Sequence, residues 1–208
     1  MFKNLLNPEN GLMITVSRIT DAIFLSLFWI IGCIPVVTLG ASTAALYDSS
    51  FRAFRKGDPH SWQRFFSVFR RNWKAGILPS LVYIAVFAAG ARGLIAVWNA
   101  AVCGQTAWVA FCCAAAVGLV VLGVLSVLFP LLSRFENSFT GLLKNAALLA
   151  MANMPRTLVL GILNCAAVLL CAAYVFPLFF LPALASLLST WLLEPMFRPF
   201  LPKPEGED

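Results

Sequence analysis

From Ala107 to Leu132 the chain carries no charged residue. A helix needs roughly 20 apolar residues to cross a bilayer, so this run is long enough to span with tilt. Two further stretches are mostly apolar, each with a single charged residue: Asp21 to Gly40, and Gly76 to about Trp98 with Arg92. A last one, Thr157 to Phe197, is too long for one crossing. Pro177 and Pro182 interrupt it, which predicts a hairpin of two helices. Composition agrees. The chain is 61% hydrophobic and 12% charged, against roughly 45–50% and about 25% for soluble domains. Those numbers exclude an ordinary soluble enzyme, a disordered chain and a nucleic-acid-binding module.

The first apolar stretch also contains a helix breaker and a flexible residue, Pro35 and Gly40. Residues 41–57 follow, with Ser42 or Thr43 as a candidate cap for a returning helix. Two other segments read as amphipathic. In Ser61–Lys74, helical spacing places Trp62, Phe65, Phe66, Phe69 and Trp73 on one face, with Arg64, Arg70, Arg71 and Lys74 mostly elsewhere. That pattern predicts a basic helix lying in the headgroup layer. In Ser138 to about Asn153, Phe139, Leu142, Leu143, Ala146 and Leu149 share a face; burial within the bundle is the other reading of this segment.

The net charge is +6, from 15 Lys and Arg against 9 Asp and Glu. The cations cluster between the apolar stretches, most densely from Arg52 to Lys74, so they read as determinants of topology and as contacts for anionic lipid. The expectation is an all-α, polytopic transmembrane bundle. It forms one membrane domain over residues 1–208 with a short disordered tail at 201–208. Both termini are placed in the cytoplasm of a bacterium, with about six crossings if residues 41–57 cross. Five, with the N-terminus outside, is the alternative. No cleaved secretory signal is expected, because no small-x-small site follows the first apolar run.

Little in the chain suggests catalysis. No phosphate-binding glycine loop, G-x-S-x-G elbow or H-E-x-x-H occurs. His60 is the single histidine, and the six cysteines contain no C-x-x-C pair. They read as packing residues, and neither a metal nor a cofactor is expected. The informative residues are polar groups near or within the apolar stretches, since ionisable groups there are costly. They are Asp21, Asp48, Arg52, Arg92, Glu136, Asn137, Asn153 and Asn164. Asp48 and Arg52 stand one helical turn apart and can pair. Small-x-x-x-small steps at Ala85–Ala89 and Ala114–Gly118 permit close helix contact.

Several segments together resemble the YesL family of small bacterial integral membrane proteins. They are the opening Met1–Met13, Leu27–Tyr47 with its CIPVVTLGA core, the Arg134–Phe139 stretch RFENSF, Leu143–Thr157, and Pro182-Ala-Leu. The resemblance implies an integral membrane protein without assigned chemistry, found alongside carbohydrate ABC-importer components. It supplies no catalytic residue. Pro35, Thr38, Gly40, Glu136, Asn137, Asn153 and Pro155 are structural or partner-contact positions under it. The expected role is a non-enzymatic accessory or scaffold protein for carbohydrate import, whose partners are the bilayer and importer permease subunits. An independent small-solute carrier or channel, and a membrane sensor, are the alternatives. The carrier reading requires a continuous polar path through Asn164 or the Asp48–Arg52 pair.

Overall fold

Helices form every regular element in the described part of this computed structural model, which covers residues 11–58, 60–103, 107–134, 139–174 and 176–197. They are α1 (Gly11–Cys33), α2 (Leu39–Phe51), α3 (Ser61–Asn72), α4 (Ile77–Cys103), α5 (Ala107–Arg134), α6 (Phe139–Ala152), α7 (Met154–Ala173) and α8 (Leu181–Phe197). Four contain segments long and apolar enough to cross a membrane: Val16–Cys33, Ile77–Val102, Trp108–Arg134 and Met154–Cys171. Phe139–Ala152 and Leu181–Phe197 are apolar but shorter.

Both expected hairpins are present. Pro35 ends the first helix region, and a short 3-10 turn, Val36–Thr38, leads into α2. A second such turn, Phe176–Phe179, contains Pro177 and joins α7 to α8, where Pro182 lies in the first turn. Proline suits both places, because the first turn of a helix leaves its N–H groups unpaired in any case. Three local expectations are corrected. Asp21 lies midway along α1, since the helix begins well before its apolar part. Ser42 and Thr43 sit inside α2, which starts at Leu39 without a side-chain cap. Gly40 is likewise not a break but part of the first turn of α2.

Each hairpin pairs a long helix with a shorter, more enclosed one. The spanning segments of α1 and α7 are each only 17% buried, whereas ten of the thirteen residues of α2 are buried. α2 is the centre of the fold. One side of it, through Ala44 and Tyr47, joins a core with Val127, Leu128 and Leu131 of α5, Leu142 and Ala146 of α6, and Leu193 of α8. The other side, through Ala45 and Leu46, packs with Ala22 and Leu25 of α1 and Phe65 and Val68 of α3. A helix so enclosed is freed from the need for an apolar coat, which explains why α2 is rich in Gly, Ala, Ser and Thr. α2 continues through a wide π turn, Arg52–Lys56, and stops at Gly57. The φ of Gly57 is +66°, the left-handed conformation that glycine adopts at helix ends without a Cβ penalty.

α3 runs back along α2. Near its start Arg64 meets Asp48, and just past its end Gly76 meets Gly40 and Ala41 in the first turn of α2. This corrects one expectation. α3 is packed lengthwise on α1 and α2, so its aromatic residues divide: Phe65 is buried and Phe69 partly so, while Trp62, Phe66 and Trp73 are exposed. Arg64, placed on the polar face by spacing alone, turns inward. With the π turn that continues it, α2 forms one helical stretch from Leu39 to Lys56, and α3 returns beside it to the level of Gly40.

α6 packs by one face. Leu142, Ala146 and Leu149 enter the core, while Leu143, Lys144 and Asn145 face outward. Glu136, Asn137 and the tail at 201–208 lie outside the described residues.

Candidate functional site

Two features gather the polar residues of this chain: a cavity and a pair of ion-pair clusters. The cavity has a volume of about 340 Å³ and is walled by α1, α2, α4, α5, α7 and α8 with the turn before α8. Trp29, Leu39, Leu46, Tyr83, Phe129, Pro130, Val168 and Leu178 are among its lining residues, and most of its surface is apolar. Thr43, Ser126, Asn164 and Ser189 also line it, as do Tyr47 and Ser186, whose hydroxyls are buried without an aligned partner. The first four donate to their own helices. Thr43 Oγ1 donates to Leu39 O at 2.8 Å and accepts from Trp29 Nε1 at 3.2 Å. Ser126 donates to Leu122 O at 2.7 Å, Asn164 Nδ2 to Leu160 O at 2.9 Å, and Ser189 to Ala185 O at 2.7 Å. Each is the i−4 back-bond that hydroxyl and amide side chains make on a helix.

The ion pairs lie at the C-terminal ends of the two short helices. Asp48 of α2 accepts from Arg64 Nε at 2.7 Å and lies 3.5 Å from Arg52 Nε. The expected Asp48–Arg52 pair is therefore present, with a second arginine that sequence spacing did not reveal. Glu194 of α8 pairs with Arg134 at the end of α5. Arg134 also stacks on Phe51, with its guanidinium carbon 4.7 Å from the ring centre, and Arg55 stands over both Phe51 and Trp191. Tyr47 connects the two clusters. Its hydroxyl is buried without an aligned hydrogen bond, in a field set by Glu194, Arg134 and Asp48. These contacts tie α2, α3, α5 and α8 together at one end of the bundle.

The other candidates are dispersed. Asp21 accepts from Ser61 Oγ at 3.0 Å and so fixes the start of α3 against α1. Asn153 stands at the joint of α6 and α7, donating to Leu149 O at 3.3 Å, with Arg156 reaching its Oδ1 at 3.4 Å. Arg92 is exposed on α4. Neither Asp48 nor Arg52 lines the cavity that Asn164 lines. Among the described residues, no group of His, Cys, Asp and Glu could hold a metal ion.

The stretch from Ala22 to Ala91 carries the whole of α2 and α3 with Asp48, Arg52 and Arg64, and the cavity residues Trp29 to Tyr83. Residues 22–91 match the model of DUF624, a protein family of unknown function. DUF624 is the family known as YesL. The matched stretch runs from α1 into α4, so it includes the buried α2–α3 pair and one of the two carboxylate clusters. Arg134, Asn164 and Glu194 fall beyond it. No curated protein and no solved structure matches the chain.

Proposed function

We propose that this protein is a non-enzymatic membrane component that attaches to the membrane subunits of a carbohydrate ABC importer in the bacterial cytoplasmic membrane. The observation that favours attachment over independent transport is the separation of the polar groups. Thr43, Ser126, Asn164 and Ser189 in the cavity are bonded back to their helices, and the Asp48 and Glu194 carboxylates are closed in pairs at one end. A carrier needs polar groups that meet along a path. The surface best suited to another chain is the outer edge of α3. There Trp62, Phe66 and Trp73 are exposed beside Arg70 and Lys74, and the Lys74 ammonium stands 5.6 Å from the Trp73 ring centre. Aromatic residues next to cations are enriched at binding hot spots. Carbohydrate import enters this reading through the YesL resemblance alone.

Crosslinking the tagged protein in its native membrane, followed by mass spectrometry, tests the reading. Importer permeases should be recovered in stoichiometric amounts. Recovery of the tagged protein alone, with the permeases intact in the same membrane, overturns it. The α3 edge gives a finer prediction. Phe66→Glu and Trp73→Glu should lower partner recovery at least fivefold at unchanged expression. Phe65→Glu should instead abolish folding, because it puts a charge in the core.

The antiparallel packing of α1 on α2 and the Asp21–Ser61 bond bring the first half of α1 to the end of the bundle that holds the Asp48 and Glu194 clusters, which supports both termini on one, cytoplasmic side. Tags at either terminus should then resist protease added to intact spheroplasts, and cleavage of the N-terminal tag alone would favour five crossings instead.

The cavity is the observation that keeps a carrier in view. Solute flux into liposomes containing this protein alone would establish that second reading.

A further inference from the structure

We infer that the cavity is a side pocket for one acyl chain of a bilayer phospholipid. Three observations lead there. The first is the chemistry of the wall. No charged residue lines it, and aromatic and aliphatic side chains supply most of its surface. The second is the state of its polar residues. Thr43, Ser126, Asn164 and Ser189 all donate to the carbonyl one turn back on their own helix. The hydroxyls of Tyr47 and Ser186, also among the lining residues, have no aligned partner but are themselves buried, so they present almost no surface to the cavity. The wall therefore offers water few accessible partners. A water needs two to four polar partners to be held, and apolar cavities stay dry and accept apolar guests. The third is the opening. The cavity is not sealed, and its wall residue Val168 is 49% exposed on α7, among the exposed apolar residues Leu169 and Leu170. α7 is one of the four helices able to span a membrane, so the mouth continues the apolar surface that faces lipid. A volume of about 340 Å³ is at the lower end of the roughly 300–1,000 Å³ typical of ligand pockets.

The occupant is a chain and not a headgroup, because a phosphate or ammonium would find no counter-charge in the wall. An acyl chain enters from the bilayer without crossing water, and it brings no unpaired polar atom into the interior. The inference does not depend on which partner the protein attaches to.

The test uses the full-length protein in vesicles of phosphatidylglycerol and phosphatidylethanolamine. The vesicles contain a trace of phosphatidylglycerol with a diazirine midway along one acyl chain. After illumination, the labelled residues are mapped by mass spectrometry. Labelling should appear at cavity residues of α5 and α7, notably Ser126, Ala167 and Cys171, as well as on the outer face of α4 at Leu81, Phe87 and Ile95. Ala167→Phe fills the cavity and should cut labelling there at least fivefold while leaving the α4 labels unchanged. Should that variant fail to fold, Ser126→Leu, on a different wall, provides the same comparison. Labels confined to the outer faces in the wild-type protein overturn the inference, as does cavity labelling that persists undiminished in a folded variant. Binding of a soluble apolar solute in the cavity, with no phospholipid label there, would assign the pocket to a different ligand and also overturn it.

Discussion

Asp48→Ala should be the most damaging single substitution among the ionisable residues of this chain. The Asp48 carboxylate is 6% exposed and serves two arginines, Arg64 at 2.7 Å and Arg52 at 3.5 Å. Removing it leaves both cations beside a low-dielectric interior without a partner. Breaking a buried pair from one side costs roughly 3–5 kcal/mol. The side chains of Arg64 and Arg52 are 30% and 35% exposed and can recover some hydration, so the expected loss is at the lower end, about 3 kcal/mol. Asp48→Asn keeps the shape and an acceptor, and should cost less than Ala. Arg52→Ala removes only the i,i+4 partner on an accessible side, worth about 0.5 kcal/mol. Thermal unfolding of the purified variants in one detergent checks the order Ala, then Asn, then Arg52→Ala. Equal midpoints for Asp48→Ala and Arg52→Ala would remove Asp48 from its place as the joint between α2 and α3.

The second large effect is expected at the crossing of α5 and α7. A Cβ on Gly123 would stand 2.6 Å from Thr157 O, and one on Gly161 would stand 2.7 Å from Leu119 O. Both obstacles are backbone oxygens, which cannot rotate aside, so an added methyl must push the helices apart. Overpacking of this kind typically costs 1–3 kcal/mol. Gly123→Ala and Gly161→Ala should each lower the unfolding midpoint, and the double variant should cost less than their sum, because the first separation makes room for the second methyl. Gly93→Ala and Gly118→Ala give the opposite sign. Nothing lies within 4 Å of a Cβ at either position, and alanine is favoured over glycine inside a helix by roughly 0.5–1 kcal/mol. A uniform loss at all four positions would mean that the space around glycine is not what matters.

The glycine comparison also marks where sequence reading ends. Ala85–Ala89 and Ala114–Gly118 satisfy the small-residue pattern, yet Ala85 and Ala89 are exposed and Gly118 has open space. The close contacts are made instead by Gly123, Gly161, Gly40 and Gly76. Spacing tells which residues share a helix face, but not which face a neighbour occupies. The same limit applies to α3. Its periodicity was legible, but Phe65 and Phe66 are adjacent in sequence and meet different surroundings, one the core and the other the exterior.

The two clusters divide in the same way. Asp48 and Arg52 are four residues apart, so helical geometry alone joins them. Arg64 comes sixteen residues from Asp48 and Arg134 sixty from Glu194, and only the return of α3 along α2 and the packing of α8 against the end of α5 bring them together. Asn164 stands within an apolar run and reads as a polar site by sequence. In the fold its amide donates to Leu160 O, so an apparent functional group becomes part of an apolar wall.

What the sequence determined by itself is the helical class and the apolar spans, because the bilayer demands long runs of apolar residues whose backbone bonds are satisfied within the helix. It also determined the positions of the two proline breaks, because a missing N–H and a fixed φ act locally. What only the tertiary structure decided is the central, buried place of α2, the meeting of Gly40 with Gly76, the double ion-pair joint and the cavity. Each of these depends on contacts between segments distant in sequence, and the small and polar residues that make them carry no local signal of which neighbour they will meet.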